Sequence, residues 1–300
     1  VCREARDGAC VRHAEEHSVD GRRHGSQGSR AHDSREEAKR VRGAQCTNCE
    51  ASSCNVLIRE GTYCSMCSTD VTGYAPIDGV CADVSSDTAL CKTNAGGKCT
   101  QCDGQSFMYQ GGCYQTGSQN PGNSLCTAAA NGICTQAAEG YFVPPGATDA
   151  KDSAVKCDDT TGVEISGNTY KGVLNCEVCS PPTTPAGART ESVAVCTKCR
   201  NSKYLKTDGT CGEASDCTGT TFPKADNNAG NKCVLCGDET DGIADCQECS
   251  KPENALKCLT CATDTNKPNA SGTKCIACAT AGCAPRAAQR GLTNVLFVGL

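Results

Sequence analysis

Apolar side chains in this chain of 300 residues come as short islands between turn residues, never as long stripes. Val163-x-Ile165 and Val173-Leu174 flank Gly167-Asn168, and Tyr74-x-x-x-Asp78-Gly79-x-Cys81 recurs as Tyr204-x-x-x-Asp208-Gly209-x-Cys211. Asp-Gly readily supplies the positive φ values of a type I′ turn, so short runs on either side of such dipeptides predict two-stranded hairpins. Helical periodicity is missing; Glu36 to Arg40 offers one turn of polar helix with no apolar face to bury. Residues 1–45 hold 9 of the 14 Arg, all four His (His13, His17, His24, His32) and few apolar side chains beyond four Val. Disorder is the expectation there, and no signal-like apolar run precedes the rest. Gly291 to Leu300 is apolar but only about half a membrane span, so it is not expected to anchor the chain as it stands.

Cysteine sets this chain apart. Of 30 cysteines, 28 lie between Cys46 and Cys283, and 18 of these form nine CxxC pairs. The pairs are Cys46/Cys49, Cys64/Cys67, Cys99/Cys102, Cys176/Cys179, Cys196/Cys199, Cys233/Cys236, Cys246/Cys249, Cys258/Cys261 and Cys275/Cys278. Ten stand alone: Cys54, Cys81, Cys91, Cys113, Cys126, Cys134, Cys157, Cys211, Cys217 and Cys283. There is no Trp, with only 4 Phe and 7 Tyr, and the cysteines inflate the hydrophobic share of 38%. So little large apolar area cannot offset a backbone entropy cost of about 1–2 kcal/mol per residue. Covalent cross-links must carry the load, which implies an oxidising compartment.

The spacers repeat as well. Asn94-Ala95-Gly96-Gly97-Lys98 precedes Cys99/Cys102, Asn228-Ala229-Gly230-Asn231-Lys232 precedes Cys233/Cys236, and a longer copy from Asn269 to Lys274 precedes Cys275/Cys278. Cys81 and Cys211 are each expected to bond back to the preceding CxxC, and Cys102 to Gly111-Gly112-Cys113-Tyr114 reads as a degenerate version of the same unit. Pro181 to Pro185 marks a break. Irregular spacing argues for small modules in tandem rather than a regular solenoid.

Charge narrows the function. Residues 1–45 carry about +2 and the remainder −7, giving −5 overall. An acidic, Gly/Thr-rich array offers no basic groove, so nucleic acid is not an expected partner. Three chemistries use CxxC. Structural disulfides fit best, because 28 cysteines permit 14 bridges. Zinc is the alternative: Cys176-x2-Cys179-x16-Cys196-x2-Cys199 has the spacing of a four-cysteine site, although nothing assigns the isolated cysteines a place in that scheme. Redox catalysis needs a thiolate at a helix N-terminus, and the pairs sit among turn residues. No catalytic residue emerges, since residues 46–283 lack His and therefore any Ser–His or Cys–His pair. Asp241, Asp245 and Glu248 lack calcium-loop spacing and read as a solvated face. Asn269-Ala270-Ser271 is the one glycosylation sequon.

Dense CxxC repeats with Thr/Gly/Asn-rich spacers, the tetrapeptide Gly111-Gly112-Cys113-Tyr114, and phrases such as Lys232-Cys233-Val234-Leu235-Cys236 and Lys257-Cys258-Leu259-Thr260-Cys261 resemble the variant-specific surface proteins of Giardia. The resemblance covers about 46–283. It implies furin-like and EGF-like cysteine-rich modules in a cell-surface coat antigen that meets host antibody and takes part in antigenic variation. Family members begin with a signal peptide and end with a membrane helix and a short CRGKA tail, which this sequence does not show. Membrane contact is then expected only through an anchor absent from it.

The expected architecture is a small disulfide-rich fold, mostly irregular with short β-hairpins, drawn out as an elongated tandem array. A polar segment 1–45, disordered or foreign to the family, precedes a cysteine-rich array 46–283 with approximate modules 46–113, 114–175, 176–232 and 233–283; a short tail 284–300 follows. The expected function is a non-enzymatic coat antigen without cofactor, protecting the cell from antibody and proteases. Two rivals stand beside it. One is a growth-factor-receptor-like ligand-binding module, which would use Phe107, Met108, Tyr109, Tyr114 or Tyr141-Phe142 as an aromatic hot spot, although those side chains are expected to pack over disulfides as miniature cores; the other is a zinc-binding CxxC protein.

Overall fold

A computed structural model describes residues 2–6, 9–13, 46–85, 88–184 and 189–278. The chain divides into two compact units, 1–41 and 42–300. In the first, Cys2–Arg6 and Ala9–His13 pair antiparallel. Of residues 1–45, for which disorder is the expectation, only these two strands are described. The remainder of the Arg/His-rich segment and residues 279–300, including Cys283 and the apolar tail, lie outside the described residues.

The second unit is built from short strands and hairpins, with 3-10 turns as its only helical elements among the described residues. Thirteen disulfides between described residues cross-link them, with Cα–Cα separations from 5.1 to 5.9 Å. In place of one core there are five small clusters, several composed mainly of sulfur, such as the one around Cys157, Cys176, Cys196 and Cys199.

Two structural themes account for most of the array. The first is a bulged two-stranded ribbon. In Cys176–Ser180 with Val195–Cys199, Cys176 lies opposite Cys199 and Cys179 opposite Cys196. Cys246–Ser250 with Lys257–Cys261 repeats that register, with Cys246 opposite Cys261 and Cys249 opposite Cys258. Cys91–Ala95 with Lys98–Cys102 and Cys126–Ala130 with Ile133–Ala137 keep the same offset. Each ribbon is closed by a bridge running diagonally across it: Cys91–Cys99, Cys126–Cys134, Cys176–Cys196 and Cys246–Cys258. One extra residue in each strand, the two offset along the ribbon, puts both cysteines of a C-x-x-C on the same face, which strict two-residue alternation would forbid.

The second theme is a four-stranded sheet made of two hairpins joined by a parallel contact. The first runs Val80–Asp83, Tyr74–Ile77, Gly112–Gln115, Ser106–Tyr109. The second runs Cys211–Gly212, Tyr204–Leu205, Lys232–Leu235, Thr221–Lys224 in the same order. In both, the first strand of one hairpin lies parallel to the second strand of the next.

The turns explain the repeats. Asp78 and Gly79 have φ of 50° and 73°, as a type I′ turn requires. At the second copy only Gly209 has positive φ, and the five residues between Leu205 and Cys211 form a longer loop. There the Asp208 carboxylate accepts from the backbone N and Oγ1 of Thr210, holding the loop in a local Asx-type turn. The hairpin expected around Gly167-Asn168 is shifted. Val163–Ile165 pairs with Asn168–Lys171 through Ser166 and Gly167, whose φ values are 52° and 84°. Val173-Leu174 is not the partner strand, because a positive φ at both turn residues favours the tight two-residue turn. A third strand, Glu191–Val193, adds parallel to Asn168–Lys171.

The Asn-Ala-Gly repeat docks on an earlier strand or loop through a backbone hydrogen bond in each copy. The Cys67 amide donates to the Gly97 carbonyl at 2.8 Å, the Leu205 amide to Asn231 at 2.9 Å, and the Cys258 amide to Gly272 at 2.7 Å. A Cβ on Gly97 would fall 2.1 Å from the Cys67 carbonyl oxygen, whereas one on Gly96 would meet nothing within 4 Å; both have positive φ. Gly96→Ala is therefore expected to cost about 1 kcal/mol of backbone strain. Gly97→Ala is expected to cost clearly more and to expose the Cys67 amide to exchange. Chemical denaturation and hydrogen exchange of the two variants check this.

Candidate functional site: the sulfur ladder and the aromatic cluster

The CxxC pairs share one geometry. No described pair bonds within itself. In Cys64/Cys67, Cys64 reaches back to Cys49 and Cys67 forward to Cys81. Cys99/Cys102 joins Cys91 to Cys113, Cys196/Cys199 joins Cys176 to Cys211, and Cys258/Cys261 joins Cys246 to Cys275. Cys233/Cys236 joins Cys217 to Cys249. Cys176/Cys179 and Cys246/Cys249 do the same with the order reversed, Cys179 returning to Cys157. Cys46/Cys49 differs, since Cys46 bonds Cys54 and both its sulfurs run forward. Cys278 is also disulfide-bonded. The seven CxxC pairs other than Cys46/Cys49 and Cys275/Cys278 thus each splice an earlier loop to a later one. The expected returns of Cys81, Cys113 and Cys211 to the preceding CxxC are observed.

The four cysteines with zinc-like spacing fall in three different bridges, Cys157–Cys179, Cys176–Cys196 and Cys199–Cys211. In that oxidised state none offers the thiolate that zinc requires. Sulfurs do cluster within 4.8 Å of one another at Cys64/Cys67/Cys81, Cys91/Cys99/Cys113, Cys196/Cys199/Cys211 and Cys258/Cys261/Cys275, but these are adjacent bridges stacked together. The acidic trio does not converge on a common point. Asp241 pairs with Lys224, Glu248 accepts from Thr260, and Asp245 accepts from Thr263 and Asn266. Those bonds hold the Asp245 carboxyl below its ordinary range. The Asn269 side chain of the sequon closes its own turn, accepting from the Thr273 amide and donating to Thr273 Oγ1.

The aromatic residues that a ligand-binding reading would place on the surface are inside. Phe107 and Tyr114 are fully buried and Met108, Tyr109 and Phe142 nearly so; Tyr141 is half-buried. Tyr109 meets Tyr114 edge-on with centroids 5.9 Å apart, and Tyr141 stacks edge-on to Tyr109 at 6.5 Å. Gly111 turns the hairpin with φ of 83°, Gly112 packs on Pro76, Cys113 bonds Cys102, and Tyr114 fills the core with Val56, Ile58 and Leu125. The tetrapeptide is a packing device. Burial pushes the phenols of Tyr109 and Tyr114 well above their ordinary range, so both stay protonated.

A family model described as Giardia variant-specific surface protein matches residues 5–161. This chain belongs to that family. The match begins within the Arg/His-rich segment, which sequence alone had set apart. Major surface-labeled trophozoite antigen 417 of Giardia intestinalis is 44% identical over 230 residues, 72% of this chain and 32% of its own. Variant-specific surface protein VSP4A1 of the same organism is 30% identical over 248 residues, covering 81% of this chain and 31% of its own. Surface antigen CRP170 is 24% identical over 279 residues, covering 72% and 82% respectively. This family member therefore spans about a third of the length of the first two. No solved structure matches. Among the described residues, no helix is long and apolar enough to cross a membrane.

Two substitutions test the cluster. Tyr114 Oη is buried and has no hydrogen-bond partner among the described residues. Tyr114→Phe is expected to raise stability by about 1 kcal/mol by removing an unpaired hydroxyl, while Tyr114→Ala should cost about 3–5 kcal/mol through the cavity it leaves. Denaturant midpoints of the oxidised proteins distinguish them. Half-buried Asp78 accepts from Gln115 N and Nε2, both at 2.8 Å, and burial nonetheless holds its carboxyl above the ordinary range. Above the ordinary carboxylate pKa of about 4, the unfolded chain releases this proton before the folded one does, so Asp78's contribution to stability falls as pH rises. Asp78→Asn should therefore stabilise the protein at neutral pH, with the gain vanishing in acid. Stability measured against pH checks this.

Proposed function

We propose that this chain is part of a non-enzymatic surface coat antigen whose bridges free its spacers to vary, in keeping with antigenic variation, and deny proteases an open segment. The observation that carries this reading is the splice geometry. The splicing CxxC pairs fasten earlier loops to later ones, and the bridges enclose only 8 to 22 residues of sequence separation. In the loop-entropy model a bridge across ~15 residues contributes about 3 kcal/mol, independent of which side chains fill the loop. Exposed positions on the strands, including Leu259 on a ribbon and Leu235 on a four-stranded sheet, each inside a CxxC pair, have side chains pointing to solvent and can change with little effect on the covalent frame. Host antibody is the partner such a surface implies.

A receptor-like module would need an accessible anchor, and the aromatic candidates are packed into the core. Trypsin offers the direct test, because Lys92, Lys98 and Lys257 are exposed on ribbons. The oxidised protein is expected to resist cleavage at least about tenfold longer than the reduced one, since proteolysis tracks local opening. Equal digestion rates would defeat the proposal.

A further inference from the structure

One four-sulfur arrangement occurs four times among the described residues, and in three of them the last cysteine is half-exposed; the exception is Cys91–Cys99 with Cys102–Cys113, where Cys91 faces Cys102 and Cys113 is buried. In the first of the three units Cys49–Cys64 and Cys67–Cys81 are bonded, Cys49 faces Cys67 as its backbone partner, and Cys81 Sγ stands 3.5 Å from Cys64 Sγ. In the second, Cys176–Cys196 and Cys199–Cys211 are bonded, Cys176 faces Cys199, and Cys196 Sγ is 3.7 Å from Cys211 Sγ. In the third, Cys246–Cys258 and Cys261–Cys275 are bonded, Cys246 faces Cys261, and Cys258 Sγ is 3.6 Å from Cys275 Sγ. Facing partners in an antiparallel ladder have Cα atoms about 4.5–5.5 Å apart, inside the roughly 4.4–6.8 Å span of a disulfide. Each unit therefore holds a second complete pairing without changing strand register. The last cysteine of each unit, Cys81, Cys211 or Cys275, is half-exposed, while the cysteines it bonds or touches are buried.

We propose that Cys81, Cys211 and Cys275 are entry sites for an external thiol, low-molecular-weight or protein-borne, that catalyses exchange between the two pairings. In the third unit the incoming thiolate attacks Cys275 Sγ, forming a mixed disulfide and releasing Cys261 as thiolate. Cys261 attacks Cys246 Sγ across the ribbon, forming Cys246–Cys261 and releasing the Cys258 thiolate. Cys258 then attacks the adjacent Cys275 Sγ, forming Cys258–Cys275 and expelling the original thiolate. Three S–S bonds form and three break, counting the transient mixed disulfide; nothing is oxidised or reduced overall, and the thiol is regenerated. The first and second units run the same sequence through Cys67, Cys49, Cys64 and through Cys199, Cys176, Cys196. The backbone keeps its fold while the covalent linkage of the loops changes.

The test uses the full oxidised chain with substoichiometric glutathione at mildly alkaline pH, quenched in acid and digested with pepsin so that no thiolate survives to scramble bonds. Fragment-ion assignment of cross-linked peptides is expected to show Cys246–Cys261 with Cys258–Cys275 appearing at the expense of the original bridges, with the total thiol count unchanged. A second arm needs no added thiol. In Cys261→Ser the orphaned Cys275 should attack Cys258, so that the free thiol shifts from Cys275 to Cys246. Original pairings alone after prolonged exposure to glutathione, together with a thiol confined to Cys275 in the variant, would overturn the proposal. New pairings accompanied by a matching net loss of disulfides would overturn it too, since that is reduction rather than exchange. Should the variant not fold, the wild-type arm decides alone.

Discussion

Sulfur–sulfur bonding between neighbouring loops is the constraint on which everything else in this molecule rests. A chain with no Trp and 4 Phe has too little large apolar surface to close a single core, and its clusters are correspondingly small and scattered. A disulfide acts mainly on the unfolded state, by removing conformations that the open chain would otherwise visit. That contribution does not depend on burying area, so it can be placed wherever two strands bring cysteines within reach. The consequence is a fold whose stability is distributed evenly along the array instead of being concentrated in one interior.

The ribbon makes this distribution work. A plain antiparallel pair alternates its side chains between faces, and two cysteines three positions apart would point to opposite sides. The bulges in each ribbon return the second cysteine to the inner face, so one can close the ribbon while the other reaches another loop. Apolar residues that share the CxxC, such as Leu235, Leu259 and Ile276, are left facing solvent. Their exposure follows from the strand geometry and does not by itself mark a binding surface.

Two clusters resemble an ordinary core: one packs Phe142, Val155, Ile165, Tyr170 and Ala194, and the larger surrounds Tyr109, Tyr114 and Phe107. The larger draws strands from Cys54–Ile58, Ser106–Tyr109 and Cys126–Ala130 into contact. Asp152 is held there by the Gln110 amide at 3.0 Å, and the Ser153 hydroxyl accepts from the Cys134 amide at 2.9 Å. These polar bonds come from a stretch whose sequence holds few cysteines, which shows how the array stays connected where the sulfur thins out.

The sequence alone determined the class of fold, the reliance on disulfides and the short-range returns of Cys81, Cys113 and Cys211, because each lies within about fifteen residues of its partner and is preceded by a turn signal. It also carried the family resemblance through its spacers and through Gly111 to Tyr114. Tertiary structure decided what depends on distant chain meeting distant chain. It sent Cys179 back to Cys157 and made the two four-stranded sheets through parallel contacts. Twenty-eight cysteines admit a vast number of pairings on paper. Only the strand register brings particular sulfurs into contact, and register is set by backbone hydrogen bonds and bulges that no cysteine spacing records.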